Sequence, residues 1–186
     1  MLHTFAKIAF TSNVKALQEQ HGSRERYASF ENEIDEDAAL TIDEVEFIES
    51  RDSFYQATVS ETGWPYVQHR GGPQGFLKVL DDKTIGFADF RGNRQYVSSG
   101  NLAGNDRIAL IMVDYTKQRR LKIFGRVRLV HETEEPKFLA RLIVPGYPAK
   151  VEHAFIIHIE AYTWNCSQHI TPRFKENEVK VKADHS

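Results

Sequence analysis

FYQATVSETGWPYVQHRGGPQGFLKVLDDKTIGFADFRGNRQYVSSGNLAGNDRIALIMVDYTKQRRLKIFG, residues 54–125, is the stretch whose reading decides the fold. Residues 54–59 alternate apolar with small or polar side chains. Glu61, Thr62 and Gly63 supply turn chemistry before a second run at 65–70, which is a hairpin signal. A third run, 76–80, reaches Asp81-Asp82-Lys83 and resumes at 84–88, giving a second hairpin. Two further strands fall at 108–115 and 121–130, with polar Thr116, Lys117 and Gln118 between them. Six strands with short links favour an antiparallel sheet closed into a small barrel over a parallel α/β sheet.

The charges in this stretch are lopsided. Residues 65–128 carry twelve Lys and Arg against five carboxylates, a local excess of seven on a chain whose net charge is -2. An excess of that sign on a near-neutral protein predicts an anionic ligand, phosphate first. The plain alternative is that surface strands carry Lys and Arg. Two interruptions stand out. Gln68-His69-Arg70-Gly71-Gly72-Pro73-Gln74-Gly75 would let the backbone turn sharply and present N–H groups to an anion beside Arg70, or serve as a connecting loop. A strand follows it, so it is neither a Walker nor a dinucleotide loop. In the second, Asp89-Phe90-Arg91-Gly92-Asn93-Arg94-Gln95-Tyr96, Asn93 is placed to cap a short helix over 97–102. Arg94 and Gln95 then fall in its first turn, where a basic side chain implies an anion to offset it.

At 186 residues, 41% hydrophobic and 11% aromatic, the chain is expected to form one domain over 1–174, with an N-terminal helical extension and a charged, fraying tail at 175–186. It has no apolar run of bilayer-spanning length, and residues 1–10 lack the features of a secretory signal. A single cysteine, Cys166, rules out an internal disulfide and a Cys-rich metal site, so a reducing cytoplasm is expected. A pI near 6.4 gives no sign of a nucleic-acid partner. Ser12 or Asn13 is placed to cap a helix ending at Gly22, and His21-Gly22-Ser23-Arg24 forms a polar elbow. Thr41-Ile42-Asp43-Glu44 matches a capping box opening a helix through Val45, Phe47 and Ile48. The carboxylates of 31–52 are expected on a solvated face. After a helix over 134–142, a final strand at 154–164 sets Phe155, Ile157 and Ile159 on one face, with Ile156, His158 and Glu160 on the other. His153 and His158 point to opposite faces and make no metal pair. No nucleophile, base and orienter stand out as a set, so no catalytic residue is named.

Phe76-Leu77-Lys78 ahead of a turn, Gly86-Phe87-Ala88-Asp89 entering Gly92-Asn93-Arg94-Gln95, and Arg119-Arg120-Leu121-Lys122-Ile123-Phe124-Gly125 as a late strand together resemble the split-barrel flavin proteins related to pyridoxamine 5'-phosphate oxidase. The segments from Ala9-Phe10-Thr11 to Gly22-Ser23-Arg24, and from Asn165 through His169 to Phe174, look like a bacterial subgroup of oxidase-related FMN-binding proteins. The resemblance implies a mainly β (α+β) fold, a six-stranded antiparallel split β-barrel with flanking short helices. It implies FMN held noncovalently at a homodimer interface. It also implies an oxidoreductase passing hydride or electrons between a reductant, NADH or NADPH, and a small organic substrate. The alternative left open is a protein of the same barrel that holds flavin, deazaflavin or haem without turnover. Carried across by position, Lys78 and Arg94 are phosphate partners, and Gln95 stands where the family has a second cation. The family's upstream arginine falls on Pro73, and Arg70 in the glycine loop is expected to compensate. Asp89 stands where a threonine contacts the flavin, and Arg120 where a glutamine faces the isoalloxazine. His69, Gly71, Phe76, Leu77, Ala88, Asn93, Gln168 and His169 complete the expected cofactor-binding set. Trp64, Phe90, Tyr96 and Trp164 offer an aromatic wall. The C-terminal Arg-x-His element that clamps the oxidase's pyridoxal substrate is not found in this tail.

Overall fold

A computed structural model of the chain describes residues 2–32, 39–131, 133–165 and 167–174; Cys166 and the charged 175–186 segment lie outside them. Among the described residues, seven strands form one antiparallel sheet. They are β1 (Ser53–Val59), β2 (Pro65–Gly71), β3 (Lys78–Asp81), β4 (Thr84–Phe90), β5 (Arg107–Asp114), β6 (Arg119–His131) and β7 (Val151–Asn165), in the order β2-β1-β5-β6-β7-β4-β3. The six strands read from residues 54–130 are all present. The last strand, 15 residues long, enters the same sheet between β6 and β4 and so joins the two hairpins into one mainly β, split-barrel architecture.

Period-2 alternation explains the inner face. On β5 Ile108, Leu110 and Met112 are buried, and across the ladder on β6 so are Leu121 and Ile123. The centre is aromatic: Phe54 stacks on Phe76 and Phe87 on Phe155, with ring centroids 5.7 and 4.8 Å apart. Each such ring contributes about 1.5–3 kcal/mol by burial alone. The β6–β7 ladder slips once, between Phe124 and Gly125. There β6 runs so close to β7 that a Cβ on Gly125 would stand 2.6 Å from the His158 carbonyl oxygen.

Six short helices among the described residues flank the sheet: α1 (Leu2–Ala9), α2 (Ser12–Gln20), α3 (Arg24–Asn32), α4 (Ile42–Glu49), α5 (Val97–Gly104) and α6 (Pro136–Leu142). The capping box at Thr41 and Glu44 is formed as read. The expectation that these carboxylates are solvated fails at Glu44, which is 4% exposed. Its carboxylate accepts from the Thr41 backbone N–H at 3.0 Å and from Trp164 Nε1 at 2.6 Å. Burial pushes its pKa up, but these donors outweigh that and hold it below the ordinary 4.5. Thr11, not Ser12 or Asn13, holds the position before α2, and its side chain makes no capping hydrogen bond. The polar elbow delivers Arg24 into α3, where it pairs with Glu31 at 2.7 Å. Helix α1, for which the sequence offers no cap signal, lies against β7 and stacks Phe5 on Phe124 at 5.0 Å. Among the described residues, no helix is long and apolar enough to cross a membrane.

Candidate functional site

The alternation of β2 turns Tyr66, Gln68 and Arg70 to one side, while Val67, 63% exposed, faces out on the other. These three, the end of β4 (Asp89, Phe90), the loop at 92–96, the first turn of α5 (Val97, Ser98, Ser99) and Glu152 of β7 enclose a cavity of about 270 Å³. The loop is held in an uncommon shape: Arg94 and Tyr96 take φ of 62° and 53°, the left-handed region that non-glycine residues enter at a cost of about 1–3 kcal/mol, usually at functional sites. Tyr96, not Asn93, is the residue before α5. Arg94 and Gln95 therefore precede the helix rather than occupying its first turn, and the Asn93 side chain instead accepts from the Gln95 N–H at 3.2 Å.

Beneath the cavity lies a buried ionic cluster. Arg70 Nη1 donates to Asp89 Oδ1, and the other Asp89 oxygen lies 3.2 Å from His153 Nε2. The Arg70 guanidinium sits 5.2 Å from the Phe155 ring centroid, and its Nε is buried with no hydrogen-bond partner among the described residues. Burial lowers the Arg70 pKa and raises that of Asp89. It also lowers that of His153, against the pull of Asp89. Ser99 Oγ is 3.3 Å from the same His153 Nε2. Since one ring nitrogen serves both carboxylate and hydroxyl, the three cannot work as a serine-hydrolase relay, which needs one partner on each nitrogen. At the rim, Glu152 accepts from Arg91 Nε at 2.8 Å and from the Tyr96 hydroxyl at 3.1 Å. Arg94 Nε reaches the same hydroxyl at 3.4 Å. Ser98 donates to Gln68 at 2.9 Å on the wall.

Of the residues read from the sequence, Arg70, Asp89, Asn93, Arg94 and Gln95 converge here, with Phe90 and Tyr96. Lys78 does not: it lines a separate recess with Glu46, Glu49 and Gln74. The side chains of Phe76, Leu77 and Ala88 are sealed in the core. His69 turns to the opposite face of β2, edge-on to Tyr55, and Gly71 ends that strand. Gln168 and His169 lie in an exposed C-terminal turn, His169 with φ of 64°. Arg120 stands on β6 with a buried Nε that no described residue partners. Trp64 projects from the β1–β2 turn at 73% exposure, and Trp164 is engaged by Glu44 and Arg119.

Two expectations are corrected. The glycine loop is not an anion nest. Gly72 N–H bonds the Asp52 carbonyl at 3.0 Å, and a Cβ there would stand 2.8 Å from Phe76 Cγ, so close packing requires the glycine. Arg70 belongs to β2 rather than to that loop. Nor does the cationic excess converge as a whole, because carboxylates from later in the chain meet it: Arg91 pairs with Glu152, Arg126 with Glu160 and Arg128 with Glu135. Sequence reasoning misses Gln68, Ser98, Ser99, Glu152 and His153. Gln68 is within its reach, two residues before Arg70 on the same strand face.

A family model described as pyridoxamine 5'-phosphate oxidase matches residues 40–164. The chain belongs to the pyridoxamine 5'-phosphate oxidase family. The match takes in α4 and the sheet up to the last residue but one of β7, and leaves α1 to α3 outside it. Three solved structures share the family fold with this chain. A pyridoxamine 5'-phosphate oxidase candidate from Lactobacillus delbrueckii is 20% identical, covering 68% of this chain and 95% of that one, with a TM-score of 0.52. An FMN-binding protein from Syntrophomonas wolfei is 11% identical over 80% and 97% of the two chains, with a TM-score of 0.50. A point variant of HupZ from Group A Streptococcus is 18% identical over 67% and 98%, also with a TM-score of 0.50. No match to the curated proteins was found. At these identities the structural likeness carries the fold alone.

Proposed function

We propose that the chain is an FMN-binding oxidoreductase that works as a cytoplasmic homodimer with flavin at the subunit interface. It would draw on NADH or NADPH as a reductant for a small organic substrate. The observation that carries this reading is the strained loop at 94–96 laid over the start of α5, with Arg70 below it. That arrangement offers a fork of guanidinium donors and the leading helix N–H groups to one phosphate. The Gln68 and Ser98 side chains and the Asp89 and Glu152 carboxylates suit the hydroxyls of a ribityl chain. At about 270 Å³ the cavity falls below the roughly 300–1,000 Å³ of a site that encloses a whole drug-sized ligand, so a second copy would complete the cover over the ring. Tyr55, Val59 and Val67, exposed on the outer face of the β1–β2 hairpin, supply apolar surface for such a copy. Bound flavin supplies hydride or single-electron transfer. Arg94 and the α5 N–H groups would hold its phosphate, whereas Arg120, paired with Asn165 at the far end of β7, lies outside this cavity.

The test is the absorbance spectrum of the purified protein with mass spectrometry of what it releases. A flavin spectrum and released FMN are expected; a colourless protein that takes up no added FMN would end the reading. A second reading has an observation in its favour. Asp89 is tied to both Arg70 and His153, which leaves neither Asp89 nor His153 poised to move a substrate proton. A holder of flavin, deazaflavin or haem without turnover would show that arrangement. Anaerobic reduction by NADH or NADPH followed by reoxidation with an acceptor separates the two.

A further inference from the structure

The charged groups at the cavity already have partners before any ligand arrives: Arg70 pairs with Asp89, Asp89 also meets His153, and at the rim Arg91 pairs with Glu152. A phosphate monoester of about -1.5 to -2 charge entering at the start of α5 would meet two carboxylates as well as Arg94. We propose that His153 is a positioning residue for that anion: the site takes up a proton on His153 as it takes up phosphate, so the Arg70–Asp89–His153 cluster becomes singly positive beneath the bound ligand. The inference rests on the reading of the cavity as a phosphate site.

The geometry places His153 for this role. Ser99 lines the cavity and its hydroxyl is 3.3 Å from His153 Nε2, so one side chain separates the anion's place from the imidazole. In the neutral ring the Nε2–H donates to Asp89, and the added proton goes to Nδ1. The groups facing the ring are Asp89 on β4, Arg70 on β2, Ser99 on α5, His131 on β6 at 5.7 Å between centroids, and its own neighbour Glu152. Burial keeps the free protein's His153 below the ordinary 6.5, with His131 and Arg70 acting in the same direction. A nearby dianion acts the other way and favours imidazolium. The ligand cannot supply this proton uptake: a monoester with a second pKa of about 6 that binds as the dianion releases protons.

FMN titration calorimetry in two buffers of different ionisation heat, at about pH 6.5, reads the proton directly. Net uptake is expected, about half a proton or more taken up by His153 less the roughly quarter of a proton the phosphate releases, with the Kd weakening as pH rises, by at most about tenfold per pH unit. In His153→Asn, FMN should still bind while the uptake vanishes and the pH profile flattens. Imidazole-ring NMR needs no variant: FMN should move the His153 titration to higher pH. Uptake that persists in His153→Asn, binding without uptake, or a His153 titration unmoved by FMN would each overturn the proposal. Failure to bind FMN at any pH would instead remove the phosphate reading beneath it.

Discussion

Replacing Arg70 with alanine tests the buried cluster. The Arg70 and Asp89 side chains are 14% and 9% exposed, so water screens little of their interaction. Arg70→Ala leaves Asp89 as a buried carboxylate with only His153 beside it, a loss of about 3–5 kcal/mol. The guanidinium's place over Phe155 adds about 0.5–2 kcal/mol to what is removed. A domain with about 5–15 kcal/mol of total stability would lose a large share of it. Asp89→Asn in the same chain removes the stranded charge, and the double variant should lie within about 2 kcal/mol of the parent. The pH dependence has a definite sign. Burial already raises the Asp89 pKa above the ordinary 3.8, and removal of the cation raises it further. A raised carboxyl gives its stability below the unfolded value and forfeits it as pH climbs through the folded one. The deficit of Arg70→Ala should therefore be largest near neutrality and narrow on acidification. Urea unfolding followed by tryptophan fluorescence measures all four corners of the cycle. A loss below about 1 kcal/mol in Arg70→Ala, or no recovery on adding Asp89→Asn, would refute the claim that the pair is one coupled unit.

Arg94→Ala should leave the melting temperature unchanged, since its bond to the Tyr96 hydroxyl is long and lies at the surface, while FMN affinity measured by flavin fluorescence falls about tenfold or more. Glu44→Ala should cost about 2–3 kcal/mol at neutral pH by removing a cap and stranding Trp164 Nε1. Because the Glu44 pKa is depressed, that stability is present above the unfolded value and is lost as pH falls through the folded one, so melts of variant and parent should converge in acid. Gly125→Ala would press a Cβ against the His158 carbonyl at 2.6 Å and should cost about 1–3 kcal/mol, visible as a lowered melting temperature.

The strands and the α4 capping box are legible in the sequence because local rules govern them: two-residue alternation marks Ile108, Leu110 and Met112, and the spacing of Thr41 to Glu44 marks a helix start. What escapes depends on contacts distant in sequence. Glu44 reads as a surface carboxylate until Trp164, 120 residues on, closes over it. The cationic excess looks like an anion trap until β7 and α6 bring Glu152, Glu160 and Glu135 to it. Arg94 and Gln95 are legible as neighbours of α5, but the left-handed turn that lifts them ahead of the helix has no glycine to announce it. His153 alternates like any strand residue, and only the β4–β7 register, Asp89 opposite His153, brings it into the cluster beneath the cavity.

Trp164 bonded to Glu44, and the Tyr162 hydroxyl donating to the Ala39 carbonyl at 3.0 Å, bring the two ends of the family-matched stretch together in space. A domain whose ends meet can be spliced into a host loop, or reopened at the exposed turn at 61–64 and rejoined at its old ends, with its ladder intact. Of the three helices before it, α1 goes with the barrel, since Phe5 stacks on Phe124, so any exchange of that segment has to keep this one contact.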